Sequence, residues 1–173
     1  MIFDLLLSTL ISTAPVDHPK EPVMSYALEI QPKKLIIGIE VRTGYSTFCE
    51  KCPQHWGRFF SEQVFQKIPN KVNDAVYGIY TEYDGDYTGD YTYVIGCEVS
   101  NLDEIPEGLV GKEIPESKYA VYKAAGEFPK SVEKTWGEIW SGNLKRAYTS
   151  DFEIYRPGFD PVNNSDVLVY IAL

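Results

Sequence analysis

The chain has 173 residues, enough for one domain with a substantial core and too few for two ordinary ones. Its net charge of −9, with no denser basic spots than Lys33-Lys34 and Lys145-Arg146, argues against a phosphate-backbone surface and favours cationic small molecules in its general field. Three cysteines do not make a secreted disulfide framework, while 13 Tyr, eight Phe and three Trp suggest either a lined cavity or an aromatic-rich sheet.

The first residues carry an apolar run, Leu5-Leu6-Leu7 with Leu10-Ile11, too short to span a bilayer. Asp4 precedes it and no Lys or Arg occurs before Lys20, unlike a signal peptide. A proline-broken stretch and a second methionine, Met24, follow. Residues 1–24 are therefore expected to be a loosely attached extension, or a mis-assigned start with the domain beginning near Met24. A degenerate secretory signal is the other reading, and the sequon Asn163-Asn164-Ser165 would matter only then. A single domain is expected over residues 25–173, in the cytoplasm.

Residues 34–41 are β-branched and predict a strand. Pro53 is expected to open a helix, with Trp56, Phe59, Phe60 and Val64 at helical spacing, ended by Ile68-Pro69-Asn70. Residues 76–83 and 91–99 predict two strands joined by a hairpin loop, 84–90. After a polar linker, 101–107, the order recurs. Residues 118–125 predict a strand, and Pro129 opens a helix with Val132, Trp136, Ile139 and Trp140 apolar. Residues 151–155 and 167–173 predict two more strands, separated by the loop 156–166.

Strand-helix-strand-strand thus occurs twice, about 25–100 and about 108–173. Trp56-Gly57-Arg58-Phe59-Phe60 matches Trp136-Gly137-Glu138-Ile139-Trp140, 136 − 56 = 80 positions later. Tyr77-Gly78-Ile79-Tyr80 likewise matches Phe152-Glu153-Ile154-Tyr155. Two boxes in the same order indicate a duplication. The predicted fold is α+β: duplicated βαββ repeats with pseudo-twofold symmetry, an antiparallel sheet with helices on one face, and a ligand cleft between the halves.

Side chains alternate along a strand. Glu153 and Tyr155 therefore share one face, with Gly78 and Tyr80 as their counterparts. The apolar Phe152/Ile154 face is the expected partner of the helices. The Glu153 side, joined by Tyr170 of the last strand, is then expected to point away from them.

These features resemble the effector-binding domains of bacterial multidrug-responsive, AraC-type transcription activators and the gyrase-inhibitor-like proteins. The resemblance rests on the second helix box, on Asp151-Phe152-Glu153-Ile154-Tyr155, on Gly78-Ile79-Tyr80 and on the stretch from Tyr93 to Val99. It covers residues 26–173, and the sequence is similar in particular to integron-cassette-encoded drug-binding members. It implies a cleft in which a glutamate, here Glu153, faces cationic, lipophilic ligands among aromatic rings. Many relatives carry a helix-turn-helix region. Only 25 residues precede the domain here, so direct nucleic-acid binding is not expected.

The expected ligand-binding set is Glu153, Tyr155, Tyr80, Tyr170, Tyr122, Trp56 and Gly78. Cys49-Glu50-Lys51-Cys52 with His55 could run redox exchange or give two zinc ligands, but a zinc site wants four. Chance spacing is the preferred reading. The Asp-rich loop 84–90 lacks the glutamate of a calcium-binding EF-hand, since Ile95 holds its twelfth position. Neither metal nor cofactor is expected. The expected function is capture of a cationic amphipathic small molecule, as a sensor signalling to a separate DNA-binding regulator. The alternatives are a small-molecule hydrolase using the same glutamate, or a gyrase-binding interaction protein. No membrane association is expected.

Overall fold

The computed structural model describes residues 25–173; the reading of 1–24 lies outside the described residues. The elements are β1 (Ala27–Gln31), β2 (Lys34–Gly44), α1 (Phe48–Ser61), α2 (Val64–Lys67), β3 (Val76–Thr81), β4 (Asp90–Val99), β5 (Val110–Ile114), β6 (Ser117–Ala124), α3 (Lys130–Ser141), β7 (Ser150–Tyr155) and β8 (Val167–Ala172). The expected βαββ units are β2-α1-β3-β4 and β6-α3-β7-β8. Each is preceded by a short strand, β1 or β5, that the sequence reading left unassigned.

Local chemistry explains the helix differences. Pro129 does precede α3, but α1 begins at Phe48 and holds Pro53 in its interior. The expected single helix to Lys67 breaks at Gln63, which is left-handed at φ 53°. The break re-aims Val64 and Ile68, both buried, onto the sheet. Phe60 and Trp140, assigned to the buried stripes, are instead exposed.

All eight strands form one antiparallel sheet in the order β1-β6-β8-β7-β3-β4-β2-β5. The repeats meet at the central β3/β7 seam, and β1 and β5 each cross to pair with the other repeat. That exchange shapes the molecule. β1 lies six strands from β2, which in a flat sheet would be about 29 Å at roughly 4.8 Å per strand. Yet only Pro32 and Lys33 join them, and Pro115 and Glu116 alone join β5 to β6. Such links reach at most about 11 Å. The sheet therefore curls until its ends approach.

The inside of the curl is a closed core. Ile36, Ile79, Ile114, Tyr119, Val121, Phe152 and Tyr170 form one buried cluster drawn from both ends of the sheet. The other cluster holds Phe59, Val132, Trp136 and Ile139 of the helices against Ile37, Tyr80, Tyr93, Ile95, Val169 and Ile171. The helices thus pack outside, on one face of the sheet as expected.

The face assignment is the reverse of the expected one in β3 and β7, whereas Tyr170 of β8 does point away from the helices. Register pairs Glu153 with Val169 and Phe152 with Tyr170, which fixes the parity. Glu153, Tyr155, Gly78 and Tyr80 lie on the helix side, and Phe152 and Ile154 fill the curl. Both faces are covered, so the more apolar one took the interior of the sheet.

Candidate ligand-binding site

The β3/β7 register pairs Gly78 with Glu153, Ile79 with Phe152, Tyr80 with Asp151 and Val76 with Tyr155. Repeat equivalents are 75 positions apart here, since 153 − 78 = 155 − 80 = 75. Exchanging the repeats maps each of these pairs onto another, and maps Gly78/Glu153 onto itself. The pseudo-twofold axis passes through that pair, and the acid occupies only one side of it.

The helices obey the same symmetry. The Trp56 ring of α1 stands 5.1 Å from Tyr155 of the second repeat, and Trp136 of α3 stands 4.9 Å from Tyr80 of the first. Between α1 and α3, over the seam, lies a cavity of about 990 Å³ lined by Glu153, Tyr80, Tyr93, Tyr155 and both tryptophans. Phe128 and Phe159 pack beside Tyr155 at one end. At the other end the Tyr45 and Trp140 rings meet edge-on at 5.9 Å. The volume is at the upper end for small-molecule sites.

Glu153 is 3% exposed. Trp136 Nε1 donates to its Oε1 at 2.7 Å and the Tyr80 hydroxyl to the same oxygen at 3.1 Å. The Tyr155 hydroxyl donates to Oε2 at 2.7 Å. A carboxylate offers about four acceptor sites, so one remains, on Oε2. Burial pushes the Glu153 carboxyl above the ordinary range, and the bonds from Tyr155, Trp136 and Tyr80 oppose that rise. Burial first, and the Glu153 charge second, push the Tyr80, Tyr93 and Tyr155 hydroxyls well up, which keeps them as donors.

The neighbouring acid provides the contrast. Asp151, fully buried, receives Arg146 Nη2 and the Tyr83 hydroxyl on Oδ2, each at 2.7 Å, and the Ala172 amide on Oδ1 at 2.8 Å. Among the described residues no lysine or arginine pairs with Glu153. One acid is neutralised by the fold and the other is not.

Gly78 makes this arrangement possible. A Cβ there would lie 2.8 Å from the Tyr93 hydroxyl and 3.3 Å from Glu153 Oε2. That hydroxyl also accepts a bond from Trp56 Nε1 at 3.1 Å.

The structure brings Glu153, Tyr155, Tyr80 and Trp56 to the cavity, with Gly78 beneath the carboxylate. Tyr170 and Tyr122 lie elsewhere. Tyr170 stacks on Phe152 inside the curl at 4.7 Å and 15°, because its register partner faces that way. Tyr122 is on the helix side but opposite Val169, two strands out from β7, with its ring against Tyr26. Sequence reasoning missed Tyr93, and it took Trp136 for core alone. The equivalence of Trp136 to Trp56, already visible in the duplicated box, was the signal for it.

The Cys-x-x-Cys lies in the first turns of α1, with Cys52 on the cavity wall. Burial, then the Glu153 charge, pushes its thiol up to about 12, away from a reactive thiolate. His55 is buried with Nε2 3.0 Å from the Ile39 carbonyl. Among the described residues no three His, Cys, Asp or Glu side chains gather as a metal site. Residues 84–90 form a hairpin connection, with Thr88 bonded to Asp86. No helix among the described residues is long and apolar enough to cross a membrane.

Residues 27–173 match the family described as integron-associated effector binding protein (Cass2), and the chain belongs to that family. The transcriptional regulator BrlR of Pseudomonas aeruginosa is 33% identical over 130 residues, covering 69% of this chain and 45% of its own length. The chain thus spans less than half of that relative. An integron cassette protein from the mobile metagenome of Vibrio cholerae superposes with a TM-score of 0.69 at 28% identity, over 86% of this chain and 95% of its own. The protein SAV2435, solved bound to tetraphenylphosphonium, superposes with a TM-score of 0.72 over 86% of this chain and 93% of its own. At 20% identity it speaks for the fold alone.

Proposed function

We propose that this chain is an effector-binding domain that captures cationic, lipophilic small molecules between α1 and α3, with Glu153 as the counter-charge. The observation that carries the reading is a buried acid that no cation among the described residues balances, set in a cavity walled by aromatic rings. An unpaired buried charge is costly, and a ligand cation at the remaining Oε2 site would offset that cost. Ring faces add cation–π attraction of about 0.5–2 kcal/mol each. Walls of rings tolerate varied shapes, whereas a fixed charge selects by sign. The tetraphenylphosphonium held by SAV2435 and the regulatory role of BrlR support the same reading. On it, the chain acts as the sensing part of a transcriptional response, passing occupancy of the cavity to a DNA-binding partner.

The test is titration of a matched pair, biphenyl-4-yltrimethylammonium and 4-tert-butylbiphenyl, followed by tryptophan fluorescence. The Glu153→Gln protein should bind the cation about ten- to hundred-fold more weakly, as for loss of a contact worth about 1.5–3 kcal/mol. It should bind the neutral isostere at least as well as wild type. Equal weakening of both ligands would refute charge selection, and so would an unchanged affinity for the cation.

A further inference from the structure

Tyr91 is on β4 two residues before Tyr93, on the same face and one strand repeat of about 7 Å further along the cavity. It is 8% exposed, lodged among Phe48, Tyr80 and Tyr83 at ring separations of 6.1, 5.7 and 5.5 Å. Its hydroxyl has no hydrogen-bond partner among the described residues. The tyrosines around it are all engaged: Tyr80 and Tyr155 on Glu153, Tyr93 with Trp56, and Tyr83 on Asp151.

Arg146 closes the same end, its guanidinium 4.5 Å from the Tyr148 ring, and Tyr148 in turn meets Tyr83. Its Nη2 is bound to Asp151, so its charge is already balanced. A polar group left unpaired in an apolar setting costs free energy unless a ligand pairs it. Burial and the surrounding negative charge hold the Tyr91 hydroxyl in its protonated form, so it is a donor. Glu153 sits mid-cavity on the symmetry axis, so this end forms a second station offset from it.

We infer that the Tyr91 end of the cavity is a neutral, hydrogen-bonding subsite. It selects, among lipophilic cations, those that carry a carbonyl or ether oxygen offset from the cationic centre toward Tyr91. The inference rests on the cation-binding reading above and narrows its ligand class. Tyr91 is then a specificity-determining residue, while Glu153 sets the sign of charge.

The test compares tetraphenylphosphonium with (4-acetylphenyl)triphenylphosphonium on the wild type and on Tyr91→Phe. The wild type should bind the acetyl compound about three- to ten-fold more tightly, the range for one neutral hydrogen bond. Tyr91→Phe should erase that preference, with the acetyl compound losing more affinity than tetraphenylphosphonium, and leave the melting temperature unchanged. No preference in the wild type overturns the subsite without touching the cation reading. A preference that survives in Tyr91→Phe overturns the role of Tyr91. Failure of both phosphonium ions to bind the wild type refutes the cation reading, and the subsite falls with it.

Discussion

The two faces of the sheet are built from similar residues and do different things. Inside the curl, Phe152, Tyr170, Tyr119 and Tyr77 pack ring on ring, with Phe152 and Tyr119 centroids 5.1 Å apart. On the outer face, Tyr80, Tyr93, Tyr155 and the tryptophans stand around open space, and three of their polar hydrogens converge on one carboxylate. Aromatic content alone therefore does not make a pocket. The inner face is closed by its own sheet, drawn in by two-residue links. The outer face is covered by two helices that the seam holds apart.

The comparison breaks first at Phe152 and Glu153, adjacent residues on opposite faces. Phe152→Ala removes a ring that is 1% exposed from the closed core and should cost about 3–5 kcal/mol in stability, read by denaturant unfolding. If the loss were under about 1 kcal/mol, the inner face would not be the dry core described here. Glu153→Gln should leave stability nearly intact and act on ligand affinity.

Gly78→Ala sharpens the contrast at intermediate size. The added methyl meets the Tyr93 hydroxyl and the Glu153 carboxylate, and overpacking of this kind costs about 1–3 kcal/mol. It should weaken cation binding alongside the melting temperature. A variant with unchanged affinity would mean that the carboxylate tolerates displacement.

The smallest expected effect is in pH. Burial raises the Glu153 carboxyl above its unfolded value of about 4.3. Its contribution to folding is therefore complete below that value and is lost as pH rises through the folded one. Stability of the ligand-free wild type relative to Glu153→Gln should fall over that window, while affinity for a quaternary ammonium ion should rise over it. Parallel trends would show that Glu153 is already paired.

The sequence carried the duplicated order of elements, the 75-position equivalence of β3 and β7, and the company of Glu153, Tyr155, Gly78 and Tyr80 on one face. It did not carry which side that face takes. Parity arguments need one wet face, and here each strand of the seam is buried on both, so alternation tells neighbours apart without orienting them. Tyr170 was grouped with Glu153 through that inversion, although its own face, away from the helices, is the expected one. β1 and β5 escaped because each is five residues long and finds its partner across the other repeat. The prolines that open their links, Pro32 and Pro115, were the local trace. Tyr91 carries no motif at all. Its distinction is a hydroxyl on the cavity wall with no hydrogen bond among the described residues, which only the folded arrangement reveals.

The position of Glu153 on the axis has one more consequence. Duplicating a sequence normally yields two well-separated copies of every functional group. A group on the axis is the exception, since its copy arrives opposite itself. Had both repeats kept the acid, two carboxylates would face each other across one β-ladder pair and share a proton, as like charges that close cannot both stay ionised. The site would then hold a single labile charge at neutral pH, and its grip on a cation would depend on acidity. Glycine at position 78 removes the twin. The repeats mirror each other in the two tryptophans and the two tyrosines around the seam, and differ at the point where symmetry would have made the charge labile.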